Sequence, residues 1–279
     1  MRIFHELVYK KYVSQLTSKI LEEIRKDREE EIVDKDLIKL AISQYIIMGY
    51  ERKTNILKTP DMQYPQWQGE INLNKYDTEF ERALKKNTEE FYETKSGQWF
   101  NELACFEYIQ KINGHLVKEE LNANYFLQEQ TKAKVIDIVL RKAVENQAEP
   151  LTNKQGTGCE FMFESKKLDQ LKLMYNVFNR IDTTIRFIIE KMEPYILKEG
   201  KAIVTAAQEK KDKEYPINFT KNLLAFKAEI DDLIARSFNQ DMRFQRARDQ
   251  AFMDFMNGNK KTPHFIAMYL DNEFKKGFK

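Results

Sequence analysis

Apolar residues recur at three- and four-residue steps along most of the chain, the period of a helix with one face turned inward. Phe4, Leu7, Val8, Tyr12, Leu16, Ile20 and Ile24 share one stripe and predict a helix from Phe4 to Glu29, closed by the charged run Glu23–Asp34. Asp34 can cap a second helix, Lys35 to Met48, with Gly49 as its stop. From Arg52 to Lys75 the period is lost. This stretch holds Pro60, Pro65, Gly69 and Trp67 and is long for a loop inside a compact domain. It reads as a surface excursion or a binding loop. Trp67 is a candidate anchor for a partner, although packing back on its own domain is the favoured reading.

Helical patterning resumes at Tyr76, where Tyr76, Phe80, Leu84 and Phe91 share a face to about Lys95. Further helices are expected over Asn101–Ala123, with Gly114 inside at a cost of about 1 kcal/mol relative to Ala, and over Leu127–Asn146. Glu149–Ser165 contains Pro150, Gly156 and Gly158 and reads as a break. Beyond it, Leu168, Leu171, Tyr175, Phe178 and Ile181 form one stripe. Ile185, Ile188, Ile189, Met192 and Ile196 form another, expected to end at Gly200. Lys210–Glu214 reads as a charged loop. A helix then follows with Pro216 in its first turn and Leu223, Phe226, Ile230, Leu233 and Phe238 on its face. Phe244, Ala251, Phe252 and Phe255 mark the next, ended near Gly258. In the last segment Thr262 is expected to cap a helix beginning at Pro263. Phe265, Met268 and Tyr269 would line one face, and Gly277 would be the left-handed stop.

The pattern predicts an all-α protein of roughly ten amphipathic helices. Short turns favour antiparallel neighbours, hence two consecutive antiparallel bundles. We set the domains at 1–147, with the irregular excursion at 52–75, and at 148–279. The expected core includes Phe80, Leu84, Phe91, Tyr175, Phe178 and Phe238.

Composition agrees. Of 279 residues, 42% are hydrophobic and 32% charged, with 9 Gly and 6 Pro, a balance that favours packed helices over disorder. The net charge of +2 is spread as alternating signs, without the basic stripe of a nucleic-acid binder, so no nucleic-acid partner is expected. The start, MRIFHELVYKK, is charged and amphipathic rather than a leader. No apolar run nears the roughly 20 residues of a membrane span. A soluble protein of the cytoplasm or nucleus is expected, with no membrane partner.

The search for chemistry finds no candidate reactive centre. Cys105 and Cys159 lack metal-site spacing and read as buried thiols. His5, His115 and His264 read as surface or packing histidines. Gly156-Thr157-Gly158 lacks the ending of a phosphate loop and reads as a turn. Glu119-Glu120 and Asp231-Asp232 are adjacent acids pointing about 100° apart, which reads as a solvated face. Phe91-Tyr92 and Trp99-Phe100 read as packing rather than base stacking. No catalytic residue, cofactor or metal is expected.

Five words, in order, carry a resemblance. They are YDTEFERALKKNTEEFYETKSGQWF (Tyr76–Phe100), LKLMYNVFNRI (Leu171–Ile181), LKEGKAIV (Leu197–Val204), RSFNQDMRF (Arg236–Phe244) and TPHFIAMYLDNEFKKGFK (Thr262–Lys279). Together they resemble the N-terminal stalk of cullins, the scaffolds of multi-subunit ubiquitin ligases. The excursion at 52–75 is longer than most members show, and Glu160–Phe163 resembles the family only loosely.

The resemblance implies an elongated rod of cullin repeats, each a five-helix bundle, with this chain supplying the second and third. It implies a non-catalytic scaffold that holds a substrate receptor apart from the RING and ubiquitin-charged enzyme, working by stiffness. Its partners would be other ubiquitin ligase subunits. The adaptor-binding first repeat and the RING-binding C-terminal half would lie outside this chain, as in a segment of a longer cullin or a stalk-only paralogue. Phe274, Lys275, Lys276 and Phe278 would then face that C-terminal half and fray in its absence. The alternative is a different helical rod, such as a vesicle-tethering subunit.

Overall fold

In the computed structural model, described for residues 5–52, 69–71, 73–209 and 215–277, the chain is built almost wholly of helices. Its contacts divide it into two compact units, Met1–Gln98 with Ile112–Ala143, and Trp99–Lys111 with Val144–Lys279. The segment Trp99–Lys111 thus belongs to the second unit, which a single cut at 147/148 does not convey.

The first unit begins with a wide π-type turn, His5–Tyr9, leading into α1 (Lys10–Arg28). α1 ends in a Schellman motif: the Glu31 amide donates to the Lys26 carbonyl and the Glu30 amide to that of Asp27, both at 3.0 Å. Glu30 takes the left-handed position at φ 68°, where glycine is usual. Asp34 then caps α2 (Lys35–Met48), its Oδ1 accepting the Leu37 amide at 2.9 Å. Gly49 closes α2 as expected, in a right-handed conformation at φ −83°.

The excursion starts and finishes in a minimal antiparallel pair, β1 (Tyr50–Arg52) and β2 (Gly69–Ile71), with Tyr50 opposite Ile71 and Arg52 opposite Gly69. Trp67 lies outside the described residues. A second π-type turn, Tyr76–Glu81, leads into α3 (Arg82–Glu102). α4 (Cys105–Phe126) starts four residues later than expected, after a break at Leu103–Ala104, and α5 (Glu129–Leu140) follows. The core of this unit gathers Ile20 and Ile24 of α1, Ile38, Ile42 and Tyr45 of α2, and Tyr76, Phe80 and Leu84. Its rings touch, with Tyr45 and Tyr76 each 5.4 Å from Phe80.

In the second unit the expected break at 149–165 is partly helical. A π-type turn, Arg141–Glu145, continues into α6 (Asn146–Thr152), and α7 (Cys159–Glu164) follows a turn in which Gly156 has φ 70°. That turn ties the α3–α4 break. The Lys154 ammonium donates to the carbonyls of Phe100 and Leu103 at the end of α3, and Thr157 Oγ1 accepts the Cys105 amide at the start of α4. The Gly-Thr-Gly word is therefore a structural turn that closes orphan helix ends.

Next come α8 (Leu168–Phe178), a short 3-10 turn at Asp182–Thr184, α9 (Ile185–Glu209), α10 (Tyr215–Phe238), α11 (Met242–Asn257) and α12 (Thr262–Gly277). α9 does not end at Gly200. The helix runs on to Glu209, and Gly200 serves packing instead: a Cβ there would fall 2.5 Å from the buried Phe255 ring of α11. The charged stretch Lys210–Glu214 lies outside the described residues.

α12 also departs from expectation. Thr262 is buried, and its hydroxyl has no hydrogen-bond partner, so it does not cap. Phe265 packs against Phe219 of α10 at 5.5 Å, whereas Met268 is exposed. Gly277 belongs to the helix rather than stopping it in a left-handed turn.

Candidate functional site

Each unit has a polar or aromatic centre that fixes its helices, and these centres are where structure and sequence reading differ most. In the first unit the centre is ionic. Arg28, at the last turn of α1, is 2% exposed and donates through Nε to Glu119 Oε1 at 2.6 Å. Its Nη2 reaches Thr88 Oγ1 of α3 at 2.8 Å, and its guanidinium lies over the rings of Phe91 and Tyr92. The Tyr92 hydroxyl donates to the same Glu119 oxygen at 2.8 Å and lies 3.3 Å from His115 Nδ1. Beside it, Asp27 accepts from Asn122 at 2.6 Å and pairs with Lys118 and Lys35.

The ionised forms match their surroundings. Burial opposes the Arg28 charge, but Glu119 and its neighbours outweigh this and hold the guanidinium protonated above its usual range. Burial, followed by Glu119, pushes the Tyr92 phenol well up, so it stays a donor. Glu81 forms a smaller centre with Thr131 and Lys134. Burial would raise its carboxyl, but the Lys134 and Thr131 hydrogen bonds prevail and lower it.

The solvated-face reading fails for Glu119, which is 5% exposed, while Asp231 and Asp232 do lie at the surface. The missed signal was register. Ile112, Leu116, Glu119, Ala123 and Phe126 follow one another at steps of four and three, so Glu119 sits on the buried stripe of α4. His115, on the same side, is a packing histidine.

In the second unit the centre is aromatic. Phe238 stacks on Phe244 at 3.9 Å, and Tyr175 lies 5.8 Å from Phe238 and 5.9 Å from Phe244. Phe163 joins them through Phe238 and stacks on Tyr195. A polar knot fastens its rim. Asp241 caps α11 through the Arg243 amide at 2.8 Å and accepts the Tyr175 hydroxyl at 3.1 Å. Arg243 reaches on to Asp182 and Asn179 at 2.9 and 2.8 Å.

The six residues proposed as core lie as follows. Phe80, Leu84 and Phe91 are buried in the first unit, and Tyr175, Phe178 and Phe238 in the second. Of the four proposed junction residues, Phe274 is 64% exposed, and Lys275 and Lys276 are exposed and paired along their own helix with Asp271 and Glu273. Phe278 lies outside the described residues. Leu270 and Met268 extend the exposed apolar surface of α12, and Ile266 and Leu270 line a groove beside Met256 of α11.

Neither thiol is poised to react. Burial pushes Cys105 up to about 12 and Cys159 well above the usual thiol range. Among the described residues no three His, Cys, Asp or Glu side chains gather as metal ligands, and no helix is long and apolar enough to cross a membrane.

Fold and centres together define a class: an all-helical protein of packed amphipathic helices, whose polar clusters join helix to helix. The match to a known family agrees. The family model described as the cullin alpha solenoid domain covers residues 1–279, and the chain belongs to the cullin family. It is 25% identical over 269 residues to Cullin-3B of Arabidopsis thaliana, covering 96% of this chain and 33% of that protein. It is 26% identical over 265 residues to Cullin-3 of Dictyostelium discoideum, covering 95% of this chain and 32% of that one. Cullin-3 of Caenorhabditis elegans is likewise 26% identical, over 269 residues. The chain spans about a third of the length of these curated relatives.

Proposed function

We propose that this chain is a non-catalytic scaffold segment of a cullin-RING-type ubiquitin ligase, acting in ubiquitin-dependent protein degradation in the cytoplasm or nucleus. Its task is positioning: a stiff helical stalk holds the substrate receptor at a set distance from the RING module and its ubiquitin-charged enzyme. Holding two reactants in place lowers the entropic part of a barrier without any group of the stalk touching the chemistry. The observation that carries this reading is the cullin alpha solenoid match along the whole chain. The helix junctions bonded by Arg28–Glu119, and by Asp241 and Arg243 to Tyr175, Asp182 and Asn179, support it, since each resists bending where helices meet.

We further propose that Phe274, Lys275, Lys276 and Phe278 face the RING-binding part of a longer cullin. The exposure of Phe274 and of Leu270 on α12 supports this, because apolar side chains grouped on one helix suit a protein contact.

The test is to recover the protein from its own cells under native conditions and to identify its partners and its intact mass. Recovery of an adaptor and a RING subunit with a chain longer than 279 residues is the expected result. A native mass near 33.3 kDa with neither partner would overturn the ligase reading.

A further inference from the structure

A cleft of about 270 Å³ opens in the second unit between α7, α9 and α10. Its lining is Glu164, Lys166, Tyr195, Glu199, Phe226 and Glu229. Tyr195 is only 8% exposed, and its ring is held by stacking on Phe163 at 5.5 Å with 18° between the planes. Its hydroxyl makes no hydrogen bond among the described residues, although three carboxylates bear on it. Burial first, then Glu229, Glu199 and Glu164, push the phenol up to about 12, so it is neutral at physiological pH. The ring is buried, but its oxygen is not sealed among the buried polar atoms that lack a partner, so it opens into the cleft as a free acceptor and donor.

The carboxylates are not equivalent. Glu164 pairs with Lys198, and Glu229 with Lys166 at 2.6 Å, both lysines being exposed. Glu199, half-buried, forms no ion pair among the described residues. The cleft therefore offers one uncommitted carboxylate and one uncommitted phenol oxygen beside the largely buried ring of Phe226. Two of its three acids are already neutralised, which does not suit a divalent cation, and the acids exclude an anion. An arginine side chain fits. Its planar fork can donate to Glu199 and to the Tyr195 oxygen together, its weak hydration eases entry into a half-buried cleft, and its flat face tolerates an aromatic neighbour. We propose that the Tyr195–Glu199 cleft seats an arginine side chain of a protein partner.

This inference does not depend on the ligase reading, and its test uses the 279-residue chain with a small probe. The tyrosine rings are isotope-labelled, and the Tyr195 signal is assigned by its loss in Tyr195→Phe. N-acetyl-arginine amide is then titrated, with N-acetyl-citrulline amide as its neutral isostere. A saturable movement of the Tyr195 signal with the arginine compound alone is expected. Glu199→Gln should weaken that binding by about five-fold or more, the worth of one hydrogen bond. Tyr195→Phe should leave Tm unchanged or raise it, because the hydroxyl it removes has no internal partner. No movement of the signal, equal movement with citrulline, unchanged affinity in Glu199→Gln, or a clear fall in Tm for Tyr195→Phe would each overturn the proposal.

Discussion

The two units solve the same packing problem with different chemistry. The first ties α1, α3 and α4 through a guanidinium and a carboxylate that almost no water reaches; the second ties α8, α10 and α11 through rings packed face to face and edge to face. A buried ion pair fixes direction as well as distance, because each oxygen and each N–H must find its partner. It adds little net stability, since desolvation offsets most of the attraction. Stacked rings contribute mainly through apolar area removed from water, with smaller directional demands. The first unit is thus specified by its ions and the second held by its rings.

The contrast can be broken from either side. The largest effect is expected in the second unit, where Phe238→Ala leaves a ring-sized cavity beside Phe244 and Tyr175 and should cost about 3–5 kcal/mol in urea unfolding. In the first unit, Glu119→Gln strands the buried Arg28 charge and should cost about 3 kcal/mol. The double variant Arg28→Met with Glu119→Leu should recover most of that loss. If the double variant is as unstable as the single, the ion pair is not the specifying element. Gly200→Ala drives a methyl group into the Phe255 ring and should cost about 1–3 kcal/mol.

Acid provides a gentler probe. The Glu81 carboxyl is lowered, its lysine and threonine bonds outweighing burial, and Asp241 is lowered likewise by Arg243 against burial. A carboxyl lowered in the folded state contributes stability above its ordinary range near 4, and the contribution is lost as pH falls through the folded value. Stability should therefore fall below about pH 4, and Glu81→Gln and Asp241→Asn should each flatten that fall. Glu193, raised by burial and then by Asp254 and Glu190, works in the opposite sense, so Glu193→Gln should steepen the net loss. The smallest effect is at Glu30, where glycine relieves the left-handed strain and should add about 0.5–1 kcal/mol.

Helix positions were legible in the sequence wherever apolar residues repeat without interruption, as in α2, α8 and α11, and so were the Asp34 cap and the stop at Gly258. Glycine marked the stop at Gly49 but misled at Gly200 and Gly277, because one residue type serves as a stop, as a site of close approach and as an ordinary helical position. The ionic centre of the first unit was hidden for a different reason. A charged residue on an apolar stripe looks like an error in the stripe until its partner, 91 positions away in the case of Arg28 and Glu119, is known. Likewise, nothing local tells that Lys154 and Thr157 close the ends of α3 and α4. The arginine cleft was invisible because it joins residues of three helices, none of them unusual in its own neighbourhood.

The Gly200–Phe255 contact makes the side-chain volumes at two distant positions interdependent. A side chain at 200 fits without strain only if the ring at 255 becomes smaller, and a smaller residue at 255 leaves a hole until 200 fills it. Gly200→Ala and Phe255→Leu should each damage the fold alone and partly rescue it together, so that the two positions act as one energetic unit rather than as two independent ones.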